Sequence, residues 1–176
     1  MSESAPAALL LTRRLSAPPE AGPPAPPLRL ALSAHDRTRL RGHRRSLCGR
    51  DLLLQLKRGE PLQPGEWLAG DAAAPPVRVE AAPEPLLLVR AGDPLALLQA
   101  AYHLGNRHVA LELGPGELRL LWDPVLADLL ARRGLTLERL EAPFLPEPGA
   151  YAGEHSHAHG AAPAPGADHD HQRAQP

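Results

Sequence analysis

A chain of 176 residues has room for one medium domain or two small ones, and its 43% of apolar residues exclude a wholly disordered protein. Its net charge of -1 hides an asymmetry: residues 1–60 carry 11 basic and 5 acidic side chains, whereas the remainder carries 8 and 15. This division excludes a uniformly basic nucleic-acid binder, and the single cysteine excludes an intrachain disulfide.

The first half of the chain reads as a series of short strands. Strand-like patterns separated by Gly, Pro and Asp turns occur at 7–15, 28–34, 37–45, 51–57 and 77–81. Residues 16–27 contain so many prolines that they must form a loop. We therefore predict a small all-β domain over residues 1–82.

The pattern changes at Pro83, after which a buried-type strand occupies 85–91. Asp93 and Pro94 are suited to the N-cap and first position of a helix. The apolar residues of that helix recur at helical spacing, and a glycine follows as a C-cap. They are Leu95, Leu98, Tyr102 and Gly105.

A strand at 108–113 and a return strand at 118–122 follow. Asp123-Pro124 then opens a second helix, with Leu126, Leu129 and Leu130 on its apolar face and Gly134 at its end, before a last strand at 135–142. The order βαββαβ predicts a ferredoxin-like domain over 83–150, and an α+β protein as a whole.

The C-terminal segment 151–176 is predicted to be a disordered tail rich in histidine. Five of the nine histidines lie there: His155, His157, His159, His169 and His171. Because neutral imidazole suits nickel, copper and zinc, we interpret this tail as a metal-binding segment. The alternative is a solvated polar tail whose metal affinity is incidental.

Two further histidines fall in the second domain. His103 lies near the end of a predicted helix, where a protonated imidazole would interact favourably with the helix dipole. His108 begins the next strand after a Gly-Asn-Arg turn, so we expect it to be exposed. One histidine holds a divalent ion poorly, but two copies across the two-fold axis of a dimer could hold it, with tail histidines completing the shell.

Other classes of function are disfavoured. Ser46 and Cys48 have no evident base, and the chain lacks Walker A, GxGxxG and HExxH motifs, which argues against an enzyme. The basic stretch 37–45 could touch phosphate, but no predicted strand carries an aromatic-rich motif for stacking bases, so a solvated strand face or a protein-docking surface is favoured. No apolar run is long enough for a membrane span and no signal-peptide pattern is visible, so we expect a cytoplasmic protein.

The segments AYHLGNRHVALEL, LRLLWDPVLADLLARRG and LEAPFLPEPGAY, followed by the histidine tail, resemble the UreE family of urease accessory proteins. The resemblance covers about residues 7–160 and is looser in the first half. It implies a peptide- or partner-binding N-terminal domain, a metal-binding C-terminal domain and a homodimer that binds Ni²⁺, with Cu²⁺ or Zn²⁺ as competitors. It also implies delivery to the urease maturation complex through its accessory GTPase. His108 matches the interfacial nickel histidine of the family, and His103 matches a neighbouring one.

The chain also departs from some relatives. They carry an H-D-H arrangement just before the second helix, where this chain has Trp122, Asp123 and Pro124, so an accessory metal site is not expected there. Two other functions stay open. One is a metal buffer dominated by the tail. The other is a scaffold whose β domain docks a protein.

Overall fold

The computed structural model describes residues 7–19, 26–71 and 74–148. The architecture is α+β, with many strands and few helices. In the first half the elements are β1 (Leu9–Leu11), β2 (Arg13–Leu15), β3 (Leu28–Leu32), α1 (Ala34–Arg37), β4 (Arg41–Arg45), β5 (Asp51–Gln55), β6 (Trp67–Ala69) and β7 (Val77–Ala81). In the second half they are β8 (Pro83–Arg90), α2 (Pro94–Gly105), β9 (Glu112–Gly114), β10 (Glu117–Leu121), α3 (Pro124–Ala131) and β11 (Thr136–Pro143).

The first half forms two sheets, ordered β1-β5-β4 and β2-β6-β7-β3. Their inward-facing positions alternate along the strands, as in β5, where Leu52 and Leu54 are fully buried. Leucines and valines from both sheets make one continuous core. Among the described residues, this core contains no aromatic side chain, which agrees with the scarcity of aromatic residues in the chain.

The second half has the predicted order βαββαβ and a single sheet, β11-β8-β10-β9. All neighbouring strands in it are antiparallel. Leu87 and Val89 of β8 pack in one core with Ala100 and Leu104 of α2 and with Leu130 of α3. The two helices therefore share a core with β8, one of the two central strands of the sheet.

Both long helices begin as the sequence predicts. Asp93 accepts a hydrogen bond from the backbone N–H of Leu95 at 3.1 Å, and Asp123 accepts bonds from those of Val125 and Leu126 at 2.8 and 2.9 Å. Each aspartate is followed by a proline, whose missing N–H costs nothing in the first helical turn. An aspartate at these positions satisfies backbone donors that the helix leaves free.

Several predicted strands are wrong in extent. Segment 7–15 is split between β1 and β2, which belong to different sheets. Segment 37–45 begins in helix α1, and its first residue, Arg37, is buried rather than part of a solvated basic face. The three-residue strand β6 lies between the predicted strands 51–57 and 77–81, where the sequence predicts only turns, because so short an element shows no alternating pattern.

The predicted end of the first long helix, α2, is also wrong. Gly105 is the last helical residue and has no left-handed backbone, so it is not the C-cap that the sequence predicts. The strand predicted at 108–113 starts only at Glu112. In between, residues 106–108 form a turn that prolongs the helix end. The glycine predicted to close α3, Gly134, does adopt the left-handed conformation, with φ 75°.

Several hydrogen bonds join the two halves of the chain. The N–H of Ala34 donates to the Glu84 carboxylate at 2.7 Å, and the guanidinium of Arg37 donates to the carbonyl of Phe144 at 2.7 Å. The predicted boundary between 82 and 83 falls between β7 and β8, but a division into separately folding domains stays a prediction. No helix in the described ranges is long and apolar enough to span a membrane.

Candidate metal site

His108 lies at the C-terminal end of α2, where it has a left-handed backbone with φ 56°. Its N–H donates to the carbonyl of Gly105 at 2.9 Å, and the next N–H, of Val109, donates to the carbonyl of Leu104 at 3.1 Å. This pair of bonds is a Schellman motif, which usually places glycine at the left-handed position. His108 is the only non-glycine residue with positive φ among those the structure describes, and its side chain is exposed.

A left-handed backbone is costly for any residue with a Cβ, by about 1–2 kcal/mol. Histidine is among the residues that tolerate it best, yet it remains uncommon there. Such strain tends to persist where a side chain has a task that glycine cannot perform. The backbone at His108 therefore supports a functional role for its imidazole beyond what exposure alone suggests.

The position also has favourable electrostatics for a cation. The last carbonyl groups of a helix carry a partial negative charge, which favours positive charge at the C-terminus. His108 lies immediately beyond those carbonyls, and His103 lies in the last turn. A divalent ion held by either imidazole would interact favourably with this end of α2.

His103 is half-buried, and its ring meets that of Tyr102 edge-on, with 5.5 Å between the ring centroids. The two histidines share one helix end, but they do not make a complete metal site. In the described part of the chain, no group of three or more His, Cys, Asp or Glu side chains could hold a metal ion. A full coordination shell would need donors from the tail or from a second protomer.

One face of α2 is apolar and exposed. Leu95, Leu98 and Tyr102 follow at helical spacing and are 58%, 67% and 67% exposed. The period that predicts the helix is therefore correct, but these residues face away from the core, which receives Ala100 and Leu104 instead. An apolar helix face without a partner is typical of an interaction surface.

Trp122 and Asp123, at the start of α3, both have structural roles. The carboxylate of Asp123 is the N-cap described above, and the guanidinium carbon of Arg139 lies 4.6 Å from the centre of the Trp122 ring. A cation so close to an aromatic face is a favourable contact. The local structure thus accounts for Trp122 and Asp123 by packing and capping.

The tail histidines His155, His157, His159, His169 and His171 lie outside the described residues. The same applies to residues 20–25 of the proline-rich loop.

Comparison with known proteins agrees with the sequence resemblance. The family model described as "UreE urease accessory protein, C-terminal domain" matches residues 84–175, which include His103, His108 and the histidine-rich segment up to residue 175. This match covers slightly more than half of the chain.

Similar proteins are described as urease accessory protein UreE. The protein of Synechococcus sp. (strain WH7805) is 56% identical over 134 residues, which cover 76% of this chain and 77% of that protein. Those of Parasynechococcus marenigrum (strain WH8102) and Azotobacter vinelandii (strain DJ) are 53% and 47% identical. They cover 84% of this chain in both cases, and 95% and 86% of the relatives. By family model and by similarity over most of its length, the chain belongs to the UreE family of urease accessory proteins.

Proposed function

We propose that this protein is a metallochaperone that binds Ni²⁺ and delivers it during assembly of the urease active site. The observation that carries the proposal is the placement of His108, an exposed imidazole on a left-handed backbone at the negative end of α2. The similar proteins are named as urease accessory proteins, which supports a role in urease maturation. Nickel is cargo here, so its exchange is ligand substitution and no catalytic group is required.

The site is proposed to be completed in a homodimer. One imidazole is a weak ligand for a divalent ion, whereas a two-fold axis would place two copies of His108 opposite each other. The exposed face formed by Leu95, Leu98 and Tyr102 lies on the helix that ends at this histidine, so its burial against a second copy would bring the two helix ends together. The βαββαβ segment would then act as a ferredoxin-like metal-binding domain.

The tail is proposed to supply further ligands, principally from His155, His157 and His159. Histidines at alternate positions can wrap one ion, and if the segment must become ordered to do so, its affinity is lowered. Weakly held ligands would favour rapid capture and release, while the paired His108 side chains would define a tighter site. His103 is proposed as a secondary ligand. The accessory GTPase of the urease maturation complex would be the receiver.

Calorimetric titration with Ni²⁺ tests the proposal. It compares the full chain with His108→Ala, with a chain ended after Gly153, and with His43→Ala. His43 is also exposed, but it lies on β4. We expect His108→Ala to remove a tight site of about one ion per dimer, truncation to remove only weaker sites, and His43→Ala to change nothing.

The second candidate function is a metal buffer, and the concentration of histidine in the tail favours it. In that case binding would disappear with the tail and survive loss of His108, and the chaperone proposal would be wrong. A scaffold function predicts instead that a tail-less His108→Ala variant still supports urease activation in cells. If urease activation fails in this variant and returns when His108 and the tail are both restored, the scaffold function is excluded.

A further inference from the structure

The segment that follows β11 crosses the second sheet from one edge to the other. β11 and β9 are the two edge strands of that sheet, with β8 and β10 between them. β11 ends at Pro143, yet four residues later the N–H of Glu147 donates to the carbonyl of Leu111, the residue before β9, at 2.8 Å. Residues 144–147, which we call the exit segment, therefore carry the chain to the β9 edge.

Two side chains hold the exit segment in place. The guanidinium of Arg37 donates to the carbonyl of Phe144, whose ring is buried. The carboxylate of Glu112, in β9, accepts a hydrogen bond from the N–H of Leu145 at 2.7 Å. A bond to a charged acceptor is shorter and stronger than one between neutral groups. The exit segment is thus attached to the β9 edge by a side chain of that edge.

Glu112 is itself held in position. One of its carboxylate oxygens accepts a hydrogen bond from Arg119 at 3.0 Å, and the other accepts the bond from Leu145. Arg119 also donates to Glu117 at 2.7 Å, so its guanidinium is fixed between two carboxylates. The Glu112 side chain is only 18% exposed, which limits competition from water. Arg119 therefore orients Glu112 toward the exit segment.

The exit segment ends close to the helix end that carries His108. Glu147 is bonded to Leu111, which lies three residues after His108, so the Cα atoms of Leu111 and His108 are at most about 11 Å apart. His155, the first tail histidine, follows Pro148 by seven residues, and a chain of that length spans at most about 25 Å. The tail is therefore long enough for its first histidine to reach the imidazole of its own protomer.

We propose that Glu112 is a positioning residue, which anchors the exit segment at the β9 edge and so holds the root of the tail beside His108 of the same protomer. The inference rests on the proposed function, in which the tail histidines and His108 bind the same cargo. Its effect is to raise the concentration of tail histidines at His108 without adding a ligand.

The size of this effect follows from the length of the tether. Without the bond to Glu112, a single exposed backbone bond would remain between Phe144 and the tail, and we expect the tether to begin at Phe144 instead of Pro148. The tether to His155 would lengthen from seven residues to eleven. Because the effective concentration at the end of a flexible tether falls as about the −3/2 power of its length, it should drop about twofold.

Disulfide equilibria measured on the full chain give this concentration without any metal. Cys48→Ser removes the native thiol, while Arg107→Cys and His155→Cys place one thiol beside His108 and one in the tail. The extent of disulfide formation in a glutathione buffer reports the effective concentration of one thiol at the other. We expect Glu112→Ala to lower it about twofold. An unchanged value would overturn the proposal.

Two further variants separate anchoring from folding. Glu117 binds Arg119 and Arg90, so Glu117→Ala disturbs the same network away from the exit segment and should leave the effective concentration unchanged. An equal drop in Glu117→Ala would overturn the proposal. Inserting Gly-Ser-Gly-Ser-Gly after Pro148 keeps every bond of the exit segment but lengthens the tether to twelve residues, and it should also cause about a twofold drop. No drop on insertion would show that tether length is irrelevant, which would likewise overturn the proposal.

The same measurement distinguishes the two protomers and the two proposals. Disulfides within one chain are expected, whereas covalent dimers on a denaturing gel would show that the tail reaches the other protomer, and the proposed placement would be wrong. Because no metal is present, a drop in Glu112→Ala supports the anchor even where the nickel titration of His108→Ala contradicts the chaperone function.

Discussion

His108 and Gly134 occupy the same position in two successive helix-ending motifs. The backbone N–H of each donates to the carbonyl oxygen three residues earlier, with an N···O distance of 2.9 Å in both cases. Each residue also has a left-handed backbone, with φ 56° at His108 and 75° at Gly134. In each motif the following N–H returns to the residue five positions earlier, at 3.1 Å in the first and 3.4 Å in the second. The chain therefore contains the same helix-ending motif twice, once with histidine and once with glycine at the left-handed position.

This relationship predicts that His108→Gly stabilises the metal-free protein. Glycine adopts the left-handed conformation without the clash at Cβ, so the free energy of unfolding should rise by about 1 kcal/mol. Urea unfolding at one fixed protein concentration measures it. The matched change Gly134→Ala introduces the same clash into the second motif and should lower the value by about 1 kcal/mol.

The same variant is a cleaner test of metal binding than His108→Ala, because it retains the backbone of the motif. Loss of tight nickel binding together with a gain in stability would assign the binding to the imidazole. A loss of stability in His108→Gly would contradict our account of the strain.

The exposed face of α2 predicts where the interface of the proposed dimer lies. Leu98→Glu places a charge in the middle of that face, and we expect it to yield monomers in sedimentation measurements while circular dichroism stays unchanged. Leu47→Glu is the control, since Leu47 is similarly exposed but belongs to the first half of the chain. Dimers that persist in Leu98→Glu and dissociate in Leu47→Glu would locate the interface elsewhere.

The carboxylate of Glu117 predicts a pH-dependent contribution to stability. Hydrogen bonds from Arg119, and then Arg90, lower its pKa from the usual value. A carboxylate whose pKa is lower in the folded state stabilises the fold above its unfolded pKa, and this contribution disappears as the pH falls through the folded value.

We therefore expect Glu117→Gln to lower the melting temperature at neutral pH, and the difference from the original protein to shrink in acid. Glu141→Gln is the matched control, because Glu141 is exposed on the same sheet and forms no salt bridge with the described residues. A difference for Glu117→Gln that is constant with pH would contradict the role of its charge.

Nickel binding should itself weaken in acid. Imidazole ligates a metal only when neutral, and free imidazole takes up a proton as the pH falls through about 6.5. Calorimetric titrations at a series of pH values should therefore show a falling affinity together with proton release on binding. Undiminished affinity in mild acid would mean that carboxylates, rather than histidines, hold the ion.

The sequence by itself determines the order of elements in the second half, because local signals are strong there. Asp93-Pro94 and Asp123-Pro124 mark both helix starts, because the aspartate side chain caps backbone donors and the proline needs none, and Gly134 marks one helix end. The sequence also identifies His108 as a candidate ligand. Comparing the ends of the two long helices in the sequence pairs Arg107-His108 with Arg133-Gly134. Because Gly134 is a typical helix-ending residue, this comparison indicates that His108 ends the first helix.

Other features depend on contacts between residues distant in the chain, and only the tertiary structure decides them. Arg37 lies in a basic run typical of a solvated face, yet it is buried because α1 packs where the carbonyl of Phe144, 107 positions later, can accept its hydrogen bond. Helical spacing likewise cannot tell which face of α2 is covered. The core takes Ala100 and Leu104, which pack with Leu87 and Val89 of β8, and it leaves Leu95, Leu98 and Tyr102 exposed. The periodicity of apolar residues predicts that a helix or strand forms, whereas the burial of each of its faces depends on which distant residues pack against that face.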